Sequence, residues 1–349
     1  MAVIGLPPQR KRQMREVVPL DTPYTVLISP TDYCNIKCVF CPYHGPAGKQ
    51  TTVKSVMTFD HYKRIIDQLA EFPIQLCRLT FSGYGDPTVH KELPEMIRYA
   101  KDKNIAEQIM LATNGILLNP QYNKRLIDSG LDYIRISVPA IDSETAFTIT
   151  GHSLDLDNYI QNIRHLYENK SDMIVLCKTT NFALGGEGGD DPNPILSEKF
   201  YEMFDPVCDY MFVEHIAPWA GTDDETVRKQ GLTSIPEKDI NGRLRQTRRL
   251  CEFLFYMLTI DAVGNIRPCC LLEAPLIGVI GREQSILDIW NSKHLYNLRI
   301  AHLEGKIPVC DNCGVNSFID TQNIDNDADI IYQRLTQSYY AIDNSQVIL

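Results

Sequence analysis

Short apolar runs recur along the first two thirds of the chain and predict six β-strands. The runs are rich in Val, Ile, Leu and aromatic residues, which is typical of strands that are buried on both faces of a parallel sheet. MIVLCKT at 173–179 is an example. The other predicted strands span 25–29, 77–83, 109–114, 133–139 and 210–216.

The segments between these runs have the spacing of amphipathic helices. In 59–72, apolar residues recur every three or four positions and so share one helical face; they are Tyr62, Ile65, Ile66 and Leu69. Six β–α alternations predict an α/β fold, with a parallel sheet that is either open or closed into a barrel. In both cases chemistry is expected at the carboxyl ends of the strands. The other predicted helices span 92–103, 122–131, 157–169 and 197–204.

The pattern changes after about residue 240, where LTIDAVGNIRPCC predicts a hairpin with DAVGN as its turn. We therefore expect a large α/β domain followed by a small α+β domain. A glycine-rich loop at 183–194 is expected at the surface, in a position that also suits an active-site lid. The expected divisions are an N-terminal extension at 1–24, the α/β domain at 25–240, the small domain at 241–320 and a C-terminal extension of unknown role at 321–349.

Composition and charge exclude several functions. The chain of 349 residues has a formal net charge of −10, so it lacks the broad basic surface that nucleic-acid binding requires. No apolar run is long enough to cross a bilayer, and no secretory pattern lies near Met1. We therefore expect a cytoplasmic protein without nucleic-acid or membrane partners. A basic cluster is expected to be a solvated, flexible lead-in; it consists of Arg10, Lys11, Arg12 and Arg15.

Three cysteines lie close together behind the first predicted strand. Eleven cysteines in a cytoplasmic chain are expected to stay reduced, which favours metal binding or catalysis over disulfides. Cys34, Cys38 and Cys41 are separated by three and two residues. On a loop, these thiols can occupy three corners of an iron–sulfur cube and leave the fourth iron free. A structural zinc site is the alternative, but it would need a fourth ligand.

This CxxxCxxC motif, with Phe40 just ahead of its last cysteine, resembles the signature of radical S-adenosylmethionine (radical SAM) enzymes. The resemblance implies a partial (β/α)6 TIM-like barrel, with a 4Fe–4S cluster on Cys34, Cys38 and Cys41 whose open iron binds SAM. It also implies reductive cleavage of SAM to methionine and a 5′-deoxyadenosyl radical that abstracts hydrogen from a substrate. A flavodoxin- or ferredoxin-type protein would donate the electron.

Further residues match the same family at the ends of the next strands. SGYGDP resembles its glycine-rich motif, which implies that Gly83, Gly85 and Asp86 lie at the SAM amino group. Asp86 stands where Glu is usual and is one methylene shorter. Phe40 and Asn114, which ends the third strand, are further candidates for the SAM site, and Ser137 matches a position that hydrogen-bonds the SAM ribose or carboxylate.

A second set of cysteines resembles the SPASM/twitch module of radical SAM enzymes, which carries auxiliary iron–sulfur clusters. No cysteine follows Cys313, so the count indicates one auxiliary 4Fe–4S cluster, as in the shorter twitch type. Cys270 is an alternative to its neighbour Cys269, and structural zinc is an alternative to the cluster. The implied ligands are Cys251, Cys269, Cys310 and Cys313.

Two clusters favour a net oxidation. An auxiliary cluster with four thiolate ligands has no open position for substrate, so its expected task is to accept an electron. A base must then take the proton, and Lys178, Glu214 and His215 are the candidates. Glu214 and His215 are neighbours on one predicted strand and point to opposite faces, so at most one of them faces the cavity.

The expected substrate is a small polar molecule, since relatives with a single twitch cluster include dehydrogenases of cyclitols and aminosugars. A sugar, a cyclitol or a nucleotide sugar would fit, and Trp219 is a candidate for stacking on a sugar or adenine ring. Peptide-modifying relatives often carry a leader-binding domain, and only about two dozen residues precede the first predicted strand.

Other functions stay open at this point. A radical SAM epimerase would need a cysteine that donates hydrogen, for which Cys77, Cys177 and Cys208 are candidates, although core packing is their default role. A peptide-modifying enzyme would share both clusters. A non-catalytic metal-binding protein would not cleave SAM, and an RNA modifier should have a basic appendage that this acidic chain lacks.

Overall fold

The computed structural model describes most of the chain. The described residues are 1–7, 13–45, 54–186, 191–216, 238–244, 248–281, 284–311, 313, 315 and 324–345, without the side chains of 311 and 339–345.

All six predicted strands are present and lie side by side in one parallel sheet. The strands are β1 (Val3–Ile4), β2 (Thr25–Ile28), β3 (Leu76–Phe81), β4 (Ala106–Thr113), β5 (Tyr133–Ser137), β6 (Ile174–Thr180), β7 (Tyr210–Glu214), β8 (Met257–Ile260), β9 (Asn265–Arg267) and β10 (Gly278–Val279). Their order across the sheet is β1-β7-β6-β5-β4-β3-β2-β8-β9-β10. Among the described strands, β1 and β10 are the unpaired edges, so the sheet is an open, partial barrel. The predicted fold class is confirmed.

Helices follow the strands, as the α/β pattern predicts. They are α1 (Met14–Val17), α2 (Phe59–Leu69), α3 (Leu93–Asp102), α4 (Pro120–Asp128), α5 (Ser143–Thr150), α6 (Leu156–Asn169), α7 (Pro194–Phe204), α8 (Phe253–Tyr256), α9 (Ile286–Trp290), α10 (Lys293–Leu303), α11 (Pro308–Asp311) and α12 (Ile324–Ser345). Helix α2 begins behind Thr58, whose side chain accepts a hydrogen bond from the backbone N–H of His61. The predicted apolar face of α2 is buried. No helix in the described part of the chain is long and apolar enough to cross a membrane.

The main core and the barrel interior lie on opposite faces of the sheet. Val26, Phe81 and Ile134 belong to the core between the sheet and the helices. Met110 and Leu176 belong to a smaller apolar cluster on the other face, which lines the interior. Because side chains alternate along a strand, each strand contributes to both surfaces.

Polar side chains take over the interior toward the carboxyl ends of β5 and β6. Tyr133 belongs to the interior cluster. Because side chains alternate along β5, Arg135 and Ser137 lie on the same face as Tyr133. The same step on β6 leads from Leu176 to Lys178, which pairs in register with Ser137. The alternation therefore brings charged groups to the end of the barrel where chemistry is expected.

The C-terminal region continues the barrel sheet. Strand β8 pairs in parallel with β2, and β9 pairs antiparallel with β8, so the predicted hairpin is confirmed. The carboxylate of Asp261 accepts hydrogen bonds from the backbone N–H of Asn265 at 2.9 Å and from Arg267 Nη1 at 3.1 Å, which fixes the turn. The two expected domains thus share one sheet, and their boundary at residue 240 stays a prediction.

Both expected extensions are in part packed against the body. Strand β1 pairs with β7, and Met14 on α1 is buried in a cluster with Val18, Ile324, Ile331 and Leu335. Residues 10–12 of the basic cluster lie outside the described residues. The polar composition of 321–349 did not indicate that helix α12 has an apolar face.

Candidate active site

The loop behind β2 gathers the first three cysteines. The backbone N–H of Cys41 donates to the carbonyl of Cys38 at 2.9 Å, and that of Gly45 donates to the carbonyl of Cys41 at 3.0 Å. A methyl group on Gly45 would lie only 2.7 Å from the carbonyl oxygens of Cys38 and Cys41. A residue without a side chain therefore lets the loop close tightly around its thiols.

The donor set fits an iron–sulfur cluster better than a single zinc ion. Burial and the neighbouring thiols of Cys41 and Cys34 raise the pKa of the Cys38 thiol to about 12, so the three sulfurs lie close to one another. A zinc ion holds thiolates at about 2.3 Å, which places them roughly 3.8 Å apart. Within the described residues, no three Cys, His, Asp or Glu side chains could hold one metal ion. A cubane cluster instead binds each thiolate at a separate iron.

Asn35 provides an open donor beside these thiols. Its Oδ1 accepts a hydrogen bond from Asn114 Nδ2 at 2.7 Å, and the same Nδ2 lies 3.9 Å from Cys34 Sγ. In the described structure Asn35 Nδ2 is buried without a hydrogen-bond partner. An orphaned donor at this loop is what a bound polar group would satisfy, so Asn114 and Asn35 fit SAM or the cluster.

The glycine-rich segment behind β3 packs directly on the cysteine loop. A Cβ at Gly83 would meet the Ser29 side chain at 2.6 Å, and one at Gly85 would overlap the carbonyl oxygens of Tyr33 and Thr31. We expected these glycines to admit a ligand. In the structure they also have a packing role, because the absence of side chains lets the glycine-rich segment contact the cysteine loop.

The Asp86 carboxylate is committed to hydrogen bonds within the protein. It accepts from the backbone N–H of Asn114 at 2.7 Å, from that of Thr88 at 2.9 Å and from the Thr113 hydroxyl at 3.0 Å. Burial raises the pKa of this carboxyl, and the hydrogen bonds oppose that shift. The side chain thus ties the end of β3 to the end of β4. That the backbone of Asp86 contacts SAM stays a prediction.

Phe40 and Ser137 lie at the edges of the same region. The ring of half-buried Phe40 packs edge-on against Phe182 with centroids 6.3 Å apart. Ser137 is half-buried at the carboxyl end of β5, beside Lys178. Their contacts with SAM stay predictions.

Lys178 and Glu214 form an ion pair on the inner face of the barrel. The Lys178 ammonium contacts the Glu214 carboxylate, and both side chains are largely buried. Burial alone would raise the pKa of the Glu214 carboxyl, but Lys178 and Arg135 together lower it below its usual value. Burial lowers the pKa of the Lys178 ammonium, the Glu214 carboxylate opposes that shift, and nearby Arg135 adds to it. Glu214 is therefore held as a carboxylate inside the barrel.

His215 points away from this pair, as the alternation of neighbouring residues predicts. Its Nε2 lies 3.3 Å from Asp191 Oδ1, and a Cβ on Gly242 would come within 2.8 Å of its ring. Its backbone N–H donates to the carbonyl of Ile240 at 3.0 Å. His215 therefore fastens the turn at 238–244 to the end of β7, and the structure places it outside the candidate catalytic group.

The second set of cysteines lines one cavity in the C-terminal region. Its other walls are almost entirely apolar and include Leu254, Leu271, Ile307 and Val315. Cys270 is not among the lining residues, although its thiol interacts with those of Cys269, Cys251 and Cys313. The cavity suits a cluster with four thiolate ligands in apolar surroundings, and its geometry favours Cys269 over Cys270. The lining cysteines are Cys251, Cys269, Cys310 and Cys313.

Tyr43 and Tyr84 connect the two cysteine sites. Their rings pack edge to face with centroids 4.9 Å apart. The Tyr43 hydroxyl donates to the carbonyl of Cys270 at 3.4 Å. His44 Nε2 lies 2.7 Å from the Tyr84 carbonyl oxygen, which joins the cysteine loop to the glycine-rich segment. The Tyr43 side chain thus links the first cysteine loop to the segment that carries Cys269 and Cys270.

The other cysteines do not reach the barrel interior. Cys177 and Cys208 are fully buried in the core between sheet and helices, and Cys208 Sγ lies 3.2 Å from the Phe204 carbonyl oxygen. Cys77 lies near the amino end of β3, away from the expected chemistry. Trp219 lies outside the described residues. Core packing is therefore the role that the structure supports for Cys177 and Cys208.

Several residues of this site were not singled out from the sequence. Gly45, Asn35 and Tyr43 lie within or next to the cysteine motif, but their contacts depend on how the loop closes. Arg135 gave a usable signal, because it stands two positions before Ser137 and therefore shares its face.

Two family models match the chain at these sites. The model described as the radical SAM superfamily matches residues 28–197, which include the first cysteine loop. The SPASM model, described as an iron–sulfur cluster-binding domain, matches residues 251–314, which include all four cysteines of the second cavity. Both matches thus fall on the candidate cluster sites.

Two curated relatives extend over larger parts of the chain. "Fe-coproporphyrin III synthase" of Methanosarcina barkeri is 27% identical over 66% of this chain, which spans 54% of that protein. The "tungsten-containing aldehyde ferredoxin oxidoreductase cofactor-modifying protein" of Pyrococcus furiosus is 23% identical over 84% of this chain and 89% of its own length. At these identities neither name transfers to the present chain.

Solved structures share the fold. BtrN in complex with AdoMet and 2-DOIA superposes with a TM-score of 0.54 at 18% identity, over 86% of this chain and 96% of BtrN. Streptococcus suis SuiB bound to S-adenosylmethionine gives a TM-score of 0.57 at 15% identity, over 81% of this chain and 69% of SuiB. At these identities the likeness is one of fold alone.

Proposed function

We propose, from the premise that this chain is a radical SAM enzyme with a C-terminal SPASM domain, that it oxidises a small polar alcohol to a carbonyl compound. The expected substrate is a sugar, a cyclitol or a nucleotide sugar. A cluster held by Cys34, Cys38 and Cys41 would supply hydrogen abstraction through SAM, and a cluster held by the second cysteine set would supply an electron acceptor. The remaining product of the oxidation is a proton, which needs a base in the protein.

The observation that carries the proposal is the Glu214 carboxylate inside the barrel. Lys178 and Arg135 lower its pKa, so it is ionised and able to take the proton of an alcohol. It lies on β7, at the carboxyl end of the parallel sheet. Lys178 holds the carboxylate in place through the ion pair. We assign the base to Glu214 and the positioning role to Lys178.

The placement of the thiols favours oxidation over epimerisation. An epimerase must return a hydrogen atom to the substrate, and a cysteine is the donor that we considered. Cys177 and Cys208 are buried behind the sheet, where they are separated from the interior by the strands themselves. Oxidation also requires a short path for the electron from the substrate to the auxiliary site. The contact of Tyr43 with the Cys270 carbonyl supports such a path.

Glu214→Gln tests the assignment of the base. We expect this variant to cleave SAM at the wild-type rate while oxidation falls by roughly 10²–10⁴-fold, since the amide keeps the shape but cannot accept the proton. The readouts are 5′-deoxyadenosine and a product two hydrogens lighter, with anaerobic holoenzyme and a panel of sugars, cyclitols and their phosphates. The lowered pKa of Glu214 also predicts that wild-type activity holds down to acidic pH, and declines only below the usual pKa of 4.5 for Glu.

Two results would contradict the proposal. A product of unchanged mass with an inverted stereocentre would indicate epimerisation. A Glu214→Gln variant that oxidises as fast as the wild type would remove Glu214 as the base. His215→Gln is the matched control, because His215 lies next to Glu214 on the chain but faces Asp191.

A further inference from the structure

Arg135 is a half-buried cation whose Nε is a buried hydrogen-bond donor. It lies on β5, on the inner face of the barrel, between Tyr133 and Ser137. In the described structure its Nε is buried and has no hydrogen-bond partner. A guanidinium carries five N–H donors and no acceptor, so each of these groups needs an acceptor from its surroundings. Leaving Nε unsatisfied is costly, which indicates that a group absent from the protein alone completes it.

The surrounding charges leave an excess of positive charge. Arg135 is close enough to Lys178 and Glu214 to affect the pKa of both. These are two cations and one carboxylate, and the Glu214 carboxylate is already engaged by Lys178. Arg78, deeper in the interior, adds a further cation and donates to Gln108 at 2.9 Å. Among these named side chains the cations therefore outnumber the carboxylates.

Arg135 and its charged neighbours lie away from the first cysteine loop. That loop follows β2, and β3 and β4 lie between β2 and β5 in the sheet. Neighbouring strands are about 4.8 Å apart, so the strand that carries Arg135 is roughly 14 Å from β2 along the sheet. The charged group and the cysteine loop thus occupy opposite walls of the barrel mouth.

We propose that Arg135, assisted by Lys178, binds an anionic group of the substrate, a carboxylate or a phosphate, inside the barrel. Arg forms paired hydrogen bonds with both kinds of anion, and a desolvated site strengthens them. This inference rests on the proposed function, because it narrows the alcohol to one with an anionic substituent. The anion at Arg135 would orient the substrate with its hydroxyl toward Glu214.

The test measures binding of inorganic phosphate by calorimetry to anaerobic holoenzyme that is saturated with SAM. We expect Arg135→Gln to weaken phosphate binding by about tenfold or more, and Arg135→Lys to weaken it less, since Lys keeps the charge but not the paired hydrogen bonds. Arg125→Gln is the matched control, because Arg125 is partly exposed and pairs with Glu95 on the outer surface. It removes the same charge and should leave phosphate binding unchanged.

Three outcomes would overturn the inference. Unchanged phosphate binding in Arg135→Gln, with iron content and circular dichroism like the wild type, would exclude Arg135 as the anion site. An equal loss in the Arg125→Gln control would indicate a nonspecific effect of charge. If phosphate instead competes with SAM, and Arg135→Gln weakens SAM binding and 5′-deoxyadenosine formation by the same factor, the anion is the SAM carboxylate and not a substrate group.

The binding assay involves no turnover, so it separates this inference from the proposed function. Phosphate binding that depends on Arg135, together with full oxidation by Glu214→Gln, would retain the anion site and remove Glu214 as the base. Loss of oxidation in Glu214→Gln, together with phosphate binding that is unchanged in Arg135→Gln, would retain Glu214 as the base and remove the anion site.

Discussion

Single residues of the barrel interior determine what kind of base the site can offer. A buried carboxyl without partners would stay protonated, because burial disfavours its charged form. Two cations reverse this at Glu214, and the lowered pKa keeps it ionised. At Asp86, whose neighbours are neutral hydrogen-bond donors, burial still raises the pKa. Nearby cations thus distinguish the candidate base from a structural carboxyl.

Gly85→Ala tests how the glycine-rich segment supports the first cluster. The new methyl group would overlap the carbonyl oxygens of Tyr33 and Thr31, so the cysteine loop must move. We expect the variant to lose most of the iron of the first cluster, and with it SAM cleavage, while iron at the second site is retained. Iron and sulfide per chain after anaerobic reconstitution are the measurement.

Gly281→Ala is the control for this glycine substitution. Gly281 has a φ of +88° and no heavy atom within 4 Å of an added Cβ, whereas Gly85 has the overlap without a positive φ, so Gly281→Ala introduces backbone strain without overlap. Equal iron loss in both variants would show that the contact at Gly85 is not what holds the loop.

At the scale of elements, the sequence predicted the six barrel strands, but it did not predict how β1 and β8 extend the sheet. The runs that became β2 to β7 are long and apolar enough to be recognised on their own. Strand β1 has only two residues, and its pairing with β7 joins residues about two hundred positions apart. Strand β8 was recognised as part of a hairpin, but its parallel pairing with β2 is also a long-range contact. Such pairings depend on tertiary packing, which local patterns do not contain.

The same difference between local patterns and long-range contacts explains which parts of the candidate site were predicted. The spacing of Cys34, Cys38 and Cys41 is local and indicated a shared site, whereas the second thiol set was implied by the resemblance to the SPASM/twitch module. The opposite orientations of Glu214 and His215 followed from the alternation of a strand. The hydrogen bonds of Asp86 and the contact of Tyr43 with Cys270 join separate segments, so no local pattern predicts them.

Helix α12 offers a test of whether the C-terminal segment stabilises the fold. Ile331 is fully buried in the cluster that includes Met14 and Leu335, whereas its neighbour Ile330 is 45% exposed. We expect Ile331→Ala to lower the free energy of unfolding by about 2–5 kcal/mol, because it removes buried methyl groups and leaves a cavity. The matched substitution Ile330→Ala should change it by less than about 0.5 kcal/mol. Thermal unfolding of the two variants is the measurement, and equal midpoints would show that α12 does not stabilise the body.

At the scale of the whole molecule, one sheet carries both cysteine sites. Strand β2 leads into the first cysteine loop, and β8 beside it leads through β9 toward Cys269. Because the two sites are attached to strands of one sheet, their separation is fixed by the sheet rather than by a linker. Tyr43 and Tyr84 fill part of the space between them. This arrangement suits electron transfer between a substrate in the barrel and an auxiliary cluster.

The metal content of matched cysteine variants tests this arrangement as a whole. We expect the wild type to contain iron and sulfide for two 4Fe–4S clusters and no zinc. A variant with Cys34, Cys38 and Cys41 changed to Ser should lose half of the iron and all SAM cleavage. A Cys310→Ser, Cys313→Ser variant should also lose half of the iron, but it should keep SAM cleavage and lose oxidation, since only the electron acceptor is missing. Zinc at the second site would remove the acceptor and with it the case for oxidation, whereas loss of all iron from either variant would show that the shared sheet couples the two sites into one folding unit.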